Sequence, residues 1–371
     1  MKIGHVIYDD PGNPWLGGGG AVRALEVNRR LARSGHEIDM LAGGYPDAHG
    51  SEPVPGFRIA YAGRSASYVA SRLAYSSRAA QFVARDEFDL IVEDTSPFTC
   101  VRSYAHGDRP VIGIVHHLVG KAILRKYPLV GYLPYRWEPL NIRGFRDILT
   151  DSHDVALQIS SAINPDASIE TIPNGVDQAL LNAAVDEKKH ILFLGRLETY
   201  QKGLDVLLEA FVYLSRTHPD VRLVIAGSGK DEAGLRREID RLNVANRIDL
   251  VGRVEGNRKI DLLRTCLFCV MPSRYEGWPT VGLEAAACAK PVIGTDISGF
   301  AEIVQHEKTG LIVSVDDAAA LGAAMIRLVE DKALRRRLGT QARDWARDYT
   351  WDRIAERQLA YYEQVLASRV T

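Results

Sequence analysis

Apolar positions along this chain fall into two alternating rhythms. Short continuous apolar runs predict buried strands at 2–8, 37–42, 57–61, 90–93, 111–115 and 148–150. Between them, apolar residues recurring every three to four positions, about one helical turn, predict helices at 21–34 and 67–85. A second series opens at 191–194 and continues at 222–226, 248–250, 268–271, 291–294 and 311–313. Its helices are expected near 203–216, 231–242 and 280–289, with a long final helix across 351–369. Near-continuous apolar strands alternating with helices mark parallel sheets covered on both faces. The expected fold class is therefore α/β, with two doubly wound parallel sheets.

The break between the series is legible too. Pro173, Asn174 and Gly175, within 172–177, carry strong turn chemistry, and Asp186, Glu187, Lys188 and Lys189 add a charged run. The linker is expected there, dividing 1–175 from 176–350 and leaving 351–371 as a terminal helix. A chain of 371 residues is long enough for two such cores. A net charge of −1 creates no overall field for nucleic acid, so no nucleic-acid partner is expected. No apolar run is long enough for a membrane-spanning helix. The opening residues turn acidic at Asp9 and Asp10 after one short apolar run, which reads as a strand and not a secretory leader, and points to the cytoplasm. Cys266 and Cys269 have redox-like spacing, but they lie inside an apolar strand with no second pair, which fits core packing.

The residues that carry chemistry cluster after strands. In Glu276-Gly277-Trp278-Pro279-Thr280-Val281-Gly282-Leu283-Glu284, Pro279 suits a first helical turn, and the free N–H groups near Thr280 and Val281 suit a diphosphate. Glu276 and Glu284 then flank a phosphate-binding helix start, and each could grip neighbouring hydroxyls of a polyol. Spacing alone leaves open a capping carboxylate and a solvated helix glutamate. Arg196 and Lys202, on the loop after the strand at 191–194, could neutralise a diphosphate whose charge grows as a bond to it breaks. The glycine run Gly17, Gly18, Gly19, Gly20 permits close backbone approach but does not fit the dinucleotide pattern, because Ala21 and Val22 fall where glycine is needed. His116, followed by His117, sits at the end of the strand 111–115, without an acidic or histidine partner at metal-ligand spacing.

Together these residues resemble glycosyltransferase family 4 over essentially the whole chain. The glycine run with Leu31, Ala32, Arg33, Ser34, Gly35 and His36 looks like the family's opening loop and helix, and 172–177 looks like its linker. Gly195, Arg196 and Leu197 with Lys202 and Gly203, and the paired Glu276 and Glu284, look like its donor motifs. The resemblance implies the GT-B fold: two facing Rossmann-like domains, 1–175 for the acceptor and 176–350 for the donor, with a cleft between them and a helix at 351–371 crossing back. It implies a retaining, metal-independent transfer of a hexose from a UDP- or GDP-linked sugar to a saccharide or lipid-linked acceptor, with no cofactor. Carried over by residue, Arg196 and Lys202 bind the diphosphate, and Glu284 binds the ribose. Glu276 holds the sugar hydroxyls at C3 and C4. Thr280, Val281, Gly18 and Gly19 offer backbone groups to the donor, Val254 a backbone contact to the base, and His116 a group near C6 of the sugar. Trp278 and Pro279 stand where some relatives have Phe-Gly, which leaves the identity of the donor open.

The acceptor side is less defined. The stretch 121–146 carries Lys121, Arg125, Lys126, Arg136, Arg143 and Arg146 against Glu138 alone, interleaved with Tyr127, Tyr132, Leu133, Tyr135 and Trp137. That pattern suits either peripheral contact with an anionic membrane, here its inner face, or a helix pair with one solvated side. Tyr8, Asp9 and Asp10 are further acceptor candidates. The alternatives are a non-hydrolysing nucleotide-sugar epimerase, for which no carboxylate set around C2 is evident, and a non-catalytic carbohydrate-binding relative, which would be expected to lose Glu276, Lys202 or His116.

Overall fold

The structure is a computed structural model that describes residues 1–15, 18–63, 67–99, 101–105, 109–120, 123–124 and 131–369. Gly17, Cys100, Lys121, Arg125, Lys126 and Tyr127 lie outside the described residues. The chain divides into two compact units, Met1–Asn174 with Trp351–Thr371, and Gly175–Thr350.

The first unit is built on β1 (Lys2–Ile7), β2 (Glu37–Gly43), β3 (Ser51–Val54), β4 (Phe57–Ala62), β5 (Leu90–Asp94), β6 (Val111–Val115), β7 (Asp147–Thr150) and β8 (Ser168–Thr171). They form one sheet in the order β3-β4-β2-β1-β5-β6-β7-β8, parallel except for the antiparallel β3. Every residue of β5, β6 and β7 is buried, which is why these strands read as apolar runs. The sheet edges had no such signature: β3, Ser-Glu-Pro-Val, and β8, Ser-Ile-Glu-Thr, are partly exposed. Proline is tolerated in β3 because an edge strand can spare one donor. The helices of this unit include α1 (Gly19–Arg33), α2 (Tyr68–Val83) and α3 (Tyr132–Ile142).

The second unit contains β9 (His190–Leu194), β10 (Arg222–Ala226), β11 (Ile248–Gly252), β12 (Cys269–Met271), β13 (Val292–Thr295) and β14 (Gly310–Val313), in the order β11-β10-β9-β12-β13-β14. Alternation along the strands builds two cores. Ile191, Phe193, Leu223 and Ile225 enter one, and Leu192, Leu194, Val224 and Ala226 enter the other. Around the sheet lie α4 (Leu204–Thr217), α5 (Glu232–Arg241), α6 (Gly256–Thr265), α7 (Thr280–Ala287), α8 (Ala318–Glu330) and α9 (Lys332–Ala346). The sequence pattern had set out no helix for α6, α8 or α9. Each nevertheless buries residues on one face, Leu263 on α6, Leu321, Met325 and Leu328 on α8, and Leu334, Leu338 and Ala342 on α9, so the helical period was present there too. Cys266, Cys269 and Cys288 are buried thiols of this unit.

Two local expectations shift. Pro279 caps α7 and does not belong to its first turn, which begins at Thr280. The charged run at 186–189 lies inside the second unit, where Glu187 pairs with Arg335 at 2.9 Å and Lys188 N–H bonds to the Thr265 carbonyl. The last helix, α10 (Trp351–Ala367), returns to the first unit and packs on α1. Arg23 of α1 is buried there, donating to the carbonyls of Ile172 and Pro173 at 2.7 and 2.9 Å and to Gln358 Oε1 at 2.6 Å.

Candidate functional site

In the first unit, chemistry gathers at the C-terminal ends of the adjacent strands β1, β5, β6 and β7, where the chain order reverses across the sheet. His116 follows β6. Its Nε2 lies 2.6 Å from Asp94 Oδ1, at the end of β5, and its Nδ1 lies 3.1 Å from Asp151 Oδ2, just after β7. An ionised carboxylate only accepts, so both ring nitrogens donate and the ring is an imidazolium. Burial works against that charge, but the hydrogen bonds to Asp151 and Asp94 and their negative charges outweigh it, and the pKa rises to about 10. Burial likewise favours the neutral form of Asp94, yet hydrogen bonds from His116 and His5 hold its carboxyl well below the usual carboxylate range.

The surroundings lock this pair. His5 Nε2 donates to the second oxygen of Asp94 at 2.6 Å, and Asn28 donates to His5 Nδ1 at 2.8 Å. Asn174 donates to Asp151 Oδ2 at 3.2 Å, while the buried Asp151 Oδ1 has no hydrogen-bond partner among the described residues. Glu138, buried on α3, accepts from the N–H groups of Val119 and Gly120 at 3.0 Å each and so ties down the loop that carries His116. Gly20 opens α1 against the imidazole: a Cβ there would stand 2.8 Å from His116 Nε2. Gly18, the N-cap of α1, makes no side-chain cap, and the first turn of α1 holds no acid, so the amides at Gly18 and Gly19 present a positive helix end.

The acceptor candidates are placed differently. Tyr8 is buried, with the Arg72 guanidinium 4.2 Å from its ring centroid and its hydroxyl bonded to Ser71 at 3.2 Å. Asp10 is buried and accepts from Tyr45, Tyr61 and the N–H of Gly12, at 3.1, 2.9 and 2.8 Å. Asp9 is half-buried.

In the second unit, the order of strands reverses between β9 and β12, and the candidate residues lie on the loops and helices that follow them. Lys202 Nζ is 2.5 Å from Glu276 Oε1, which also accepts from Ser273 Oγ at 2.7 Å. The close fit depends on Gly203. Its φ is +62°, and a Cβ would lie 2.0 Å from the Pro272 carbonyl oxygen, so only glycine lets the short helix Thr199–Lys202 close onto this loop. Glu284, one turn into α7, accepts from Lys259 of α6 at 2.5 Å, while its buried Oε2 has no partner among the described residues. The start of α7 carries neither a side-chain cap nor an acid in its first turn, so it favours an anion near Thr280 and Val281. Val254 is buried in the adjoining core. Arg196 extends into solvent with its side chain 61% exposed, 3.6 Å from Glu198. Lys202 and Glu276 are thus brought into contact, Glu284 is held in a separate pair, and Arg196 is left outside both.

Four participants escaped sequence reasoning: His5, Asp94, Asp151 and Lys259. Acidic residues closing otherwise apolar strands, Glu93-Asp94 and Asp151, were an available signal. Lys259 offered none. A concave surface lined by Lys189, His190, Arg222 and Asp249 lies at the N-terminal edge of the second sheet, opposite the strand ends that lead to the candidate residues.

Comparison with known proteins adds the family. The model of Glycosyltransferase Family 4 matches residues 17–180, and that of Glycosyl transferases group 1 matches 181–345. The phosphatidyl-myo-inositol mannosyltransferase of Mycolicibacterium smegmatis is 28% identical over 384 residues, covering 98% of this chain and 94% of that protein. Among solved structures, sucrose-phosphate synthase from Thermosynechococcus elongatus superposes with a TM-score of 0.82 at 21% identity, over 99% of this chain and 100% of that one. Anabaena HepE, solved in complex with UDP and glucose, gives 0.77 at 18% identity, over 98% and 100%.

Proposed function

The chain belongs to glycosyltransferase family 4 and carries the GT-B fold of two parallel-sheet α/β domains, and from that premise we propose that it transfers a hexose from a UDP- or GDP-linked sugar to a hydroxyl of a saccharide or lipid-linked acceptor, with retention and without a metal. The observation that carries this reading is the Lys202–Glu276 contact beside the uncapped start of α7. A cation for phosphate and a carboxylate for sugar hydroxyls stand within one bond of each other. Each satisfies the other until a ligand takes both.

In this reading Lys202 turns to the diphosphate, Arg196 folds in from solvent to join it, and the N–H groups at Thr280 and Val281 complete the anion site. Glu276 takes the hydroxyls at C3 and C4, Glu284 the ribose, the Val254 backbone the base, and Gly18 and Gly19 the diphosphate. The two cations stabilise the departing phosphate, the work a divalent ion does elsewhere. As the bond from C1 to phosphate breaks and the bond from C1 to the acceptor oxygen forms on the same face, the acceptor's proton passes to the departing phosphate oxygen. EDTA leaves transfer unchanged in this account; loss of activity on chelation overturns its metal-independent part.

The test of the donor site is thermal unfolding of wild type and Arg196→Ala with UDP, GDP and ADP. A nucleotide at about 100 times its dissociation constant stabilises the unit that binds it by roughly 2.7 kcal/mol. One nucleotide raising the midpoint in wild type, and much less in Arg196→Ala, supports the site and names its base. No shift with any of them counts against it.

A lipid-linked acceptor is supported by the mannosyltransferase relative, whose name specifies a phosphatidylinositol substrate. It is also supported by α3, where Tyr132, Leu133 and Leu140 are exposed beside Arg136 and Arg143. No described helix is long and apolar enough to cross a membrane. Contact at the inner membrane face through 121–146 is thus peripheral in this reading. Sedimentation with anionic vesicles at low salt detects it, and a protein left in the supernatant rules it out.

A further inference from the structure

The arrangement around His116 bears on what that histidine can do in the proposed transfer. Histidine beside a reacting hydroxyl is an obvious candidate for the base that deprotonates it, and a base needs a free nitrogen lone pair. Here neither nitrogen offers one, since Asp94 and Asp151 occupy both. Neither carboxylate is free to leave. Asp94 is fixed on its other oxygen by His5, which Asn28 holds in turn, and Asp151 is fixed by Asn174. Gly20 brings the α1 backbone against the ring and blocks its retreat.

We infer that Asp94 and Asp151 are positioning residues that pin His116 through both ring nitrogens, so that it serves the transfer as a fixed imidazolium and not as the proton acceptor. This inference rests on the transferase reading and deepens it. With His116 excluded as a base, the departing phosphate is the group left to receive the acceptor's proton. The titratable groups that interact with these two carboxylates from the surrounding elements include His5 on β1, Glu93 on β5, Arg23 on α1, Tyr75 on α2 and Tyr362 on α10.

The experiment combines NMR of protein labelled with ¹⁵N at histidine with pH profiles of transfer, for wild type, Asp94→Asn and Asp151→Asn. The amide keeps the shape and removes the charge, and two variants guard against one that fails to fold. In wild type the ring of His116 stays doubly protonated across about pH 6 to 9, and transfer shows no limb there that follows it. In each variant the ring loses its proton within that window, kcat falls on the order of tenfold or more, and donor KM changes less. The residual activity declines as pH rises through the new midpoint, because the imidazolium is the working form.

A wild-type ring titrating near the ordinary histidine value overturns the inference, as do variants with the wild-type midpoint. So does activity that rises as the ring deprotonates, the mark of a base. A wild type that shows the expected ring titration but transfers no sugar overturns the transferase reading, and the pinning of the ring stands without it.

Discussion

Both units place carboxylates against cations at the C-terminal ends of parallel strands, yet the two arrangements are built differently. In the first unit the cation is a short, stiff imidazole on the loop just after β6, bonded on both nitrogens and backed by His5, Asn28 and Asn174. In the second the cations are Lys202 and Lys259, long side chains each making one contact of 2.5 Å to a glutamate. A rigid ring held from several strands keeps its position and charge whether or not a ligand is present. A lysine at the tip of four methylenes can leave its glutamate for a phosphate at little cost beyond the exchange itself. The contrast separates a preorganised element from an exchangeable one within a single fold.

The largest effect expected is on chemistry in the second unit. If the proposed donor site holds, Glu276→Ala or Lys202→Ala lowers turnover by about a hundredfold or more, because each removes a charged group assigned to the donor. Steady-state transfer assays measure it, and a change of only a few-fold breaks the assignment of that pair. Next comes stability in the first unit. Arg23→Met strands the carbonyls of Ile172 and Pro173 and the amide of Gln358 in the interior, and costs on the order of 3 kcal/mol. Urea unfolding reads it. An unchanged midpoint places the stability of this region elsewhere.

A third expectation concerns pH. The pKa of His116 is raised in the folded protein to about 10, so its contribution to stability is complete below the unfolded value, about 6.5, and is lost as pH climbs toward 10. Asp94 is depressed, so its contribution is present above the unfolded carboxylate value, about 3.9, and is lost as pH falls below it. Stability of the first unit against unfolding should therefore fall above neutrality in wild type and depend less on pH in Asp94→Asn; parallel curves for the two proteins contradict the coupling. The smallest effect is Lys259→Met. That pair is partly open to solvent, with side chains 30% and 17% exposed, and nucleotide affinity changes by less than about tenfold. A larger loss, seen by calorimetric titration, makes Lys259 a ligand contact in its own right.

Reading the sequence served the two units unequally. In the second, Lys202, Gly203, Glu276 and Glu284 stood in recognisable runs, because the tight turn after Lys202 needs glycine and the charged residues stand out beside apolar strands. In the first, the glycine run and His116 were visible, but not what holds them. Asp94 lies 22 residues before His116, and His5 lies 89 before Asp94. Such partners meet because their strands are neighbours in the sheet, and strand order is not written in any local window. The edge strands β3 and β8 were missed for a related reason: with one side open they carry no continuous apolar run.

The alternation of buried strands and helices, the division into two series and the types of residue after each strand were therefore determined by the sequence alone, since burial on both faces of a parallel sheet demands apolar runs of a given length. The charge state of His116, the Lys202–Glu276 contact and the return of α10 to α1 were decided only in the tertiary structure. Each depends on groups far apart in sequence coming within hydrogen-bonding or packing distance, where burial raises the cost of an unpaired charge and so selects the partner that satisfies it.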